Sequence, residues 1–150
     1  MPQSLSRILV HLIFSTKNRV PILTPDIQQE LFPYLAVVLR DNKCPALKVG
    51  GFIDHLHLFF GISRTLSIAQ VVEEVKTSSS KWIKTKGPRF AQFHWQSGYG
   101  GFSVSQSEAE TVIRYIERQA EHHQKMTFQE EFRKFLERYQ VSYDEQYVWD

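Results

Sequence analysis

The chain has 150 residues, 42% of them apolar and 13% aromatic, which is enough for one domain with a substantial core and too little for two ordinary ones. Eighteen Lys and Arg stand against 16 Asp and Glu, a formal balance of +2, so net charge selects no nucleic-acid partner and only the distribution of charge informs. The single cysteine, Cys44, excludes an intramolecular disulfide, and neither a membrane-spanning apolar run nor a secretory signal is present, so the expectation is a cytoplasmic protein with no membrane partner.

Arg7 to Ser15 alternates, with Ile8, Val10, Leu12 and Phe14 on one side, and predicts a first strand. Thr24-Pro25-Asp26 offers an N-cap, a proline at the first helical position and an early acid, leading into Ile27, Leu31, Leu35, Val38 and Leu39 at helical spacing. Ala46 to Phe52 and His55 to Ile62 predict a hairpin joined near Gly50-Gly51 and Asp54, with a bulge near the glycines as an equal possibility. Ser67 opens a second helix that runs through Val71, Val72, Val75 and Ile83 and stops at Lys86-Gly87-Pro88. Phe90 to Gln96 and Phe102 to Val104 read as short strands around Gly98-Tyr99-Gly100-Gly101. Ser105 with Glu108, and Thr127 with Glu130, have capping-box spacing before a third and a fourth helix. Val141 to Asp150 reads as an irregular tail docked by Tyr143, Tyr147 and Trp149.

Strand, helix, strand, strand, helix, strand is the ferredoxin-like order: an α+β fold with two helices on one face of an antiparallel sheet and the other face left available. The whole chain, 1–150, reads as one domain, with a core over about residues 7–104 and C-terminal helices over about 105–150.

In the third strand, period-two geometry sets His55 and His57 on one face and Leu56, Leu58 and Phe60 on the other. The leucine face belongs against the helices, which leaves two imidazoles side by side on the more open face, half of a divalent-metal site. A His-apolar-His triplet is common in strands and needs company to carry meaning. His11 and His94 read as strand-face residues, and His122-His123 as a polar helix end.

The company comes from the third helix, where Val112, Ile113, Ile116 and Ala120 form the apolar stripe and Tyr115 and Gln119 project together one turn apart. A phenol with an unperturbed pKa of about 10 attacks a phosphodiester only with a cation polarising the phosphate and a route for its proton. Gln119 has a carbonyl oxygen able to complete a two-histidine site beside Tyr115. The pattern points to metal-assisted phosphodiester cleavage by tyrosine, with no general base evident.

VHLIFSTKNR, GFIDHLHLFF, WQSGYGGFSVS, YIERQAEHH and FQEEFRKFLERYQVSYDEQYVWD together resemble the single-tyrosine HUH transposases of the insertion sequence 200/605 group over nearly the whole chain. That resemblance implies His55 and His57 as paired metal ligands, Gln119 as the third, and Tyr115 as nucleophile on helices that follow the ferredoxin-like core. It further implies Mg²⁺ or Mn²⁺, single-stranded DNA with subterminal hairpins as partner, a 5′-phosphotyrosine intermediate, and a homodimer whose composite sites take the tyrosine helix from the other subunit. Histidine ligands alone would also accept zinc or nickel.

Lys76, Lys81, Lys84, Lys86 and Arg89 form the densest basic run, and Lys17 and Arg19 follow the first strand; both groups are candidates to track phosphates, with a solvated helix face as the competing account. Trp95 and Tyr99 are candidates to stack on unpaired bases, or to pack. An HUH nuclease of replication or mobilisation, and a noncatalytic nucleic-acid-binding module on the same fold, are the alternative functions.

Overall fold

The computed structural model describes residues 2–150. Strands β1 (Leu9–Ser15), β2 (Ala46–Phe52), β3 (His55–Gly61) and β4 (Gly100–Val104) form one antiparallel sheet in the order β2-β3-β1-β4, with helices α1 (Pro25–Asp41) and α2 (Ile68–Lys84) interleaved in the chain. This is the ferredoxin-like arrangement. After the sheet come α3 (Ala109–Glu117), the single turn α4 (Gln119–His122) and α5 (Phe128–Arg138).

Local chemistry fixes most of these elements. Ser67 and Gln70 make a complete reciprocal capping box at the start of α2, and Thr127 accepts from the Glu130 amide at the start of α5. Pro25 occupies the first turn of α1, while the Thr24 hydroxyl bonds the Asp26 side chain rather than a backbone amide. Ser105 does not cap: its hydroxyl bonds Ser107, and a short 3₁₀ turn over Gln106–Glu108 leads into α3 instead.

Alternation then sorts the strands. Val10, Leu12 and Phe14 of β1 with Leu56, Leu58 and Phe60 of β3 pack against Ile27, Leu31, Leu35 and Leu39 of α1 and Val71, Val72 and Val75 of α2. Burial of each such side chain stabilises the fold by roughly 1.5–3 kcal/mol. The opposite face is not open. Ile13 and Phe102 meet Phe128, Phe132 and Leu136 of α5, while Leu9 and Phe59 meet Ala109 and Ile116 of α3. Both faces are covered, so His55 and His57 lie fully buried rather than on an accessible face.

Four other expectations change. Phe90 to Gln96 is not a strand: Pro88–Phe90 forms a 3₁₀ turn, and Phe90, Phe93 and Trp95 all turn into one core without period-two alternation, leaving a lone bridge from Trp95 to Thr16. The first strand begins at Leu9, with Ile8 56% exposed, and the bulge in the hairpin lies between Ala46 and Lys48, away from the glycines. In the tail, Trp149 docks against Phe128 and Phe132, whereas Tyr143 and Tyr147 are exposed.

Two glycines set how closely the second layer approaches. A Cβ on Gly50 of β2 would lie 2.6 Å from Cγ2 of Ile116 in α3, and one on Gly100 of β4 would lie 2.4 Å from the Phe132 ring in α5. No helix among the described residues is long and apolar enough to cross a membrane.

Candidate active site and metal centre

His55 and His57 leave β3 on the α3–α5 side, in the register that pairs Phe52 with His55 and Gly50 with His57 across the hairpin. The α-helix breaks at Arg118, where φ is −99° and ψ 23°, and resumes as α4, delivering Tyr115 from α3 and Gln119 from the first position of α4. Glu131 enters from α5, among the apolar residues Phe128 and Phe132. Tyr115, Gln119 and both histidines therefore meet within one chain. The composite arrangement implied by the resemblance is not required to assemble them.

Glu131 is the centre of the cluster. Its Oε1 lies 3.1 Å from His57 Nε2, 3.3 Å from His55 Nε2 and 3.2 Å from His123 Nε2. Its Oε2 accepts from the Tyr115 hydroxyl and, at 3.1 Å, from Gln119 Nε2. Gln119 Oε1 faces His55 Nε2 at 2.8 Å. Behind the two imidazoles, His55 Nδ1 bonds Asp54 Oδ1 at 2.7 Å and His57 Nδ1 bonds His11 Nε2 at 2.8 Å, so both rings are oriented with Nε2 inward.

Burial and charge oppose one another here. For His55, burial disfavours the imidazolium, yet hydrogen bonds and charges from Asp54 and Glu131 outweigh it and raise the pKa to about 9. Burial lowers the pKa of His57 despite Glu131, and lowers that of His11 much further. Burial also works against the Glu131 carboxylate, but His57, His123 and His55 hold it ionised and far below the usual carboxylate range. The Tyr115 phenol is pushed well above its ordinary value by burial and by the neighbouring Glu131 charge, which keeps it protonated.

The donor set fits a divalent cation. One ligand atom each from His55, His57 and Glu131 lie within 4.8 Å of one another, all three residues buried, with the amide oxygen of Gln119 beside them. Mixed imidazole and oxygen donors around a compact centre, each with an outer partner, are the usual construction of such sites. A cavity of about 360 Å³ lined by His11, Ser103, Val112, Phe135 and Arg138 reaches Tyr115 from the surface.

Three members of this cluster escape a sequence reading. Glu131 carries a recoverable signal, an acid inside the apolar stripe of Phe128, Phe132 and Leu136. His123 is not a polar helix end but a buried ring stacked on Phe52, one helical turn beyond Gln119. His11 is a buried backing group for His57 rather than only a strand-face residue.

The residues singled out for DNA are dispersed. Trp95 is 8% exposed, wedged edge-on against Phe14 and Phe93 and donating to Ser79, so its ring packs in the core. Lys76 donates to the carbonyls of Gln96, Ser97 and Gly98, and burial lowers its pKa to about 8. Lys86 pairs with Glu30 and lies over Trp82, and Arg89 pairs with Asp26. Lys81 and Lys84 flank a shallow depression on α2, Lys17 lines a cleft with Arg89 and His94, Arg19 lies 5.9 Å over the Trp149 ring, and Tyr99 is 40% exposed.

Comparison with known proteins agrees with this architecture. Residues 4–119 match the family model described as "Transposase IS200 like". Among solved structures, a putative transposase from Deinococcus radiodurans R1 aligns at 23% identity and a TM-score of 0.62, covering 79% of this chain and 98% of the other. A REP-associated tyrosine transposase bound to a REP hairpin aligns at 14% identity and a TM-score of 0.59, covering 82% of this chain and 74% of the other. At these identities the two structures share the fold. No curated protein gives a significant match.

Proposed function

Since the chain belongs to the IS200-like transposase family, we propose that it cleaves and rejoins single-stranded DNA at mobile-element ends through a covalent bond to Tyr115. The observation that carries this reading is the meeting of the Tyr115 hydroxyl, Gln119 and two inward-facing imidazoles on the carboxylate of Glu131. The 1–150 chain acts as one transposase domain, with α3–α5 supplying the nucleophile to a ferredoxin-like core.

In the forward step the Tyr115 oxygen bonds to phosphorus, the bond from phosphorus to the 3′ oxygen breaks, and the 3′ oxygen leaves with a proton. The phenolic proton, directed at Glu131 Oε2 in the starting hydrogen bond, is matched by the one the 3′ oxygen takes up, so the step is proton-neutral, and Glu131, held ionised by His57, His123 and His55, orients the phenol rather than keeping its proton. Rejoining reverses these transfers, and the link conserves the phosphodiester energy. His55, His57, Glu131 and Gln119 are the residues that would hold Mg²⁺ or Mn²⁺. Such a cation polarises a phosphate oxygen and stabilises the charge that develops there. The imidazole content favours Mn²⁺ in affinity.

The cavity of about 360 Å³ that reaches Tyr115 is the approach for an unpaired strand, and Arg138 at its wall offers a phosphate contact. Hairpin recognition is carried over from the REP-hairpin-bound relative, with Lys17, Lys81 and Lys84 as the basic side chains best left to meet a backbone. Tyr99, exposed on the loop before β4, is the remaining candidate for base stacking.

Incubation with single-stranded oligonucleotides from the flanking locus and Mn²⁺ should attach an oligonucleotide to the Tyr115 peptide, read by mass spectrometry. Tyr115→Phe should lose the adduct and retain DNA binding. An adduct that survives in that variant, or maps to another residue, overturns the assignment; binding without any adduct favours the noncatalytic module.

A further inference from the structure

His123 stands among the same oxygens as His55, and the bonds around it leave one ring nitrogen facing only acceptors. Its Nδ1 lies 2.9 Å from the Met126 carbonyl, which can only accept, so Nδ1 carries a hydrogen. Its Nε2 lies 3.1 Å from Gln119 Oε1 and 3.2 Å from Glu131 Oε1. The amide of Gln119 cannot turn over to help, because its Nε2 donates to Glu131 Oε2 at 3.1 Å and a flip would set oxygen against the carboxylate. Between two acceptors, an inner nitrogen is relieved either by a second proton or by a cation.

His55 repeats the pattern. Its outer nitrogen is held by Asp54, and its inner nitrogen faces the same Gln119 and Glu131 oxygens. The rings of His55 and His123 are 4.5 Å apart, nearer than the 5.1 Å between His55 and His57. Stacking on Phe52, at 5.1 Å and 17°, fixes the plane of His123, and with its side chain only 2% exposed, bulk water is a poor substitute partner for Nε2. An outer hydrogen bond to a carbonyl or carboxylate with the second nitrogen turned inward is the ordinary setting of a metal-bound imidazole.

We infer that His123 is a third imidazole ligand of the divalent cation, joining His55, His57 and Glu131 from the side of Gln119. The inference rests on the metal reading given under the proposed function, and it concerns a residue beyond the 4–119 segment that matches the family. Gln119 and His123, one helical turn apart, then form a ligand pair on one short helical segment, as His55 and His57 do on one strand.

The test uses the full chain, stripped with chelator and titrated with Mn²⁺ by electron paramagnetic resonance. His123→Ala and His123→Phe, the latter preserving an aromatic ring against Phe52, should each weaken Mn²⁺ binding by at least about tenfold, while His94→Ala, remote and exposed, should not. Pulsed measurements on the unaltered protein should report three coupled imidazole nitrogens, and two after either substitution at His123. Two nitrogens in the unaltered protein, or Mn²⁺ affinity untouched by both substitutions, overturns the ligand role while leaving the metal site standing. Failure of the unaltered protein to bind Mn²⁺ at all overturns the metal reading itself and this inference with it.

Discussion

Gly50→Ala tests how tightly the nucleophile is coupled to the sheet beneath it. The new methyl carbon would start 2.6 Å from Ile116 Cγ2 and 3.2 Å from the Ile116 carbonyl oxygen, whereas carbon pairs prefer about 3.5–4.0 Å. Relief requires about 1 Å at Cγ2, which sits on the branched β carbon of Ile116 and is held in its rotamer by the helix, so α3 rises; the carbonyl oxygen asks only a few tenths more. Overpacking of this kind costs about 1–3 kcal/mol. For a chain of this size that corresponds to a loss of roughly 2–12 °C in Tm. Tyr115 precedes Ile116 on the same helix, so it lifts as well, and a misplacement near 1 Å costs about 100-fold in rate. Thermal unfolding and single-turnover accumulation of the Tyr115 adduct measure the two effects. Ile116→Ala removes the clashing methyl, so the double variant should be more stable than the sum of the two single losses. Strict additivity in that cycle, or a Gly50→Ala protein with unaltered Tm and adduct rate, refutes the claim that this glycine sets the height of the tyrosine helix.

Gly100→Ala should act in the same way on α5, since its methyl meets the Phe132 ring; a change in Mn²⁺ affinity accompanying a lower Tm would trace it to displaced Glu131. In chelator-treated protein the pKa of His55 is raised from 6.5 to about 9, so its stabilising contribution is complete below about pH 6.5 and is lost as pH rises through about 9. The urea midpoint should therefore fall over that interval, and Asp54→Asn should flatten the fall by removing one partner of the imidazolium. Lys76→Met should destabilise the fold by about 1–3 kcal/mol, read as a lower Tm, because the Gln96, Ser97 and Gly98 carbonyls lose a common donor. Lys81→Ala should instead leave Tm unchanged and reduce the salt slope of single-strand binding by roughly 0.7 for each phosphate no longer neutralised.

Much of this is legible in the sequence wherever a residue's role follows from its own neighbours. Period two in β3 separates His55 and His57 from Leu56 and Leu58, and four-residue spacing joins Tyr115 to Gln119, because both regularities belong to a single element. Gln119 lies across a helix break at Arg118 that spacing alone does not announce, yet the i+4 relation survives it. What stays hidden depends on elements meeting at a distance. Glu131 is an acid on an apolar stripe, and only the docking of α5 over β3 shows that histidines, not solvent, face it. For Trp95 the sequence leaves stacking on bases and packing both open, because Phe14 and Ser79, which with Phe93 enclose its ring, come from segments far away in the chain. The face bearing the histidines reads as uncovered because nothing in β3 records where α3–α5 will fold.

The cluster draws every side chain from one polypeptide, with the Tyr115 hydroxyl bound to a carboxylate that also faces His55 and His57. Two inactivated versions, one lacking the phenol and the other lacking His57, accordingly should not rescue each other when combined. Nor should progressive dilution extinguish adduct formation per molecule, since no encounter between copies is needed to complete the catalytic group.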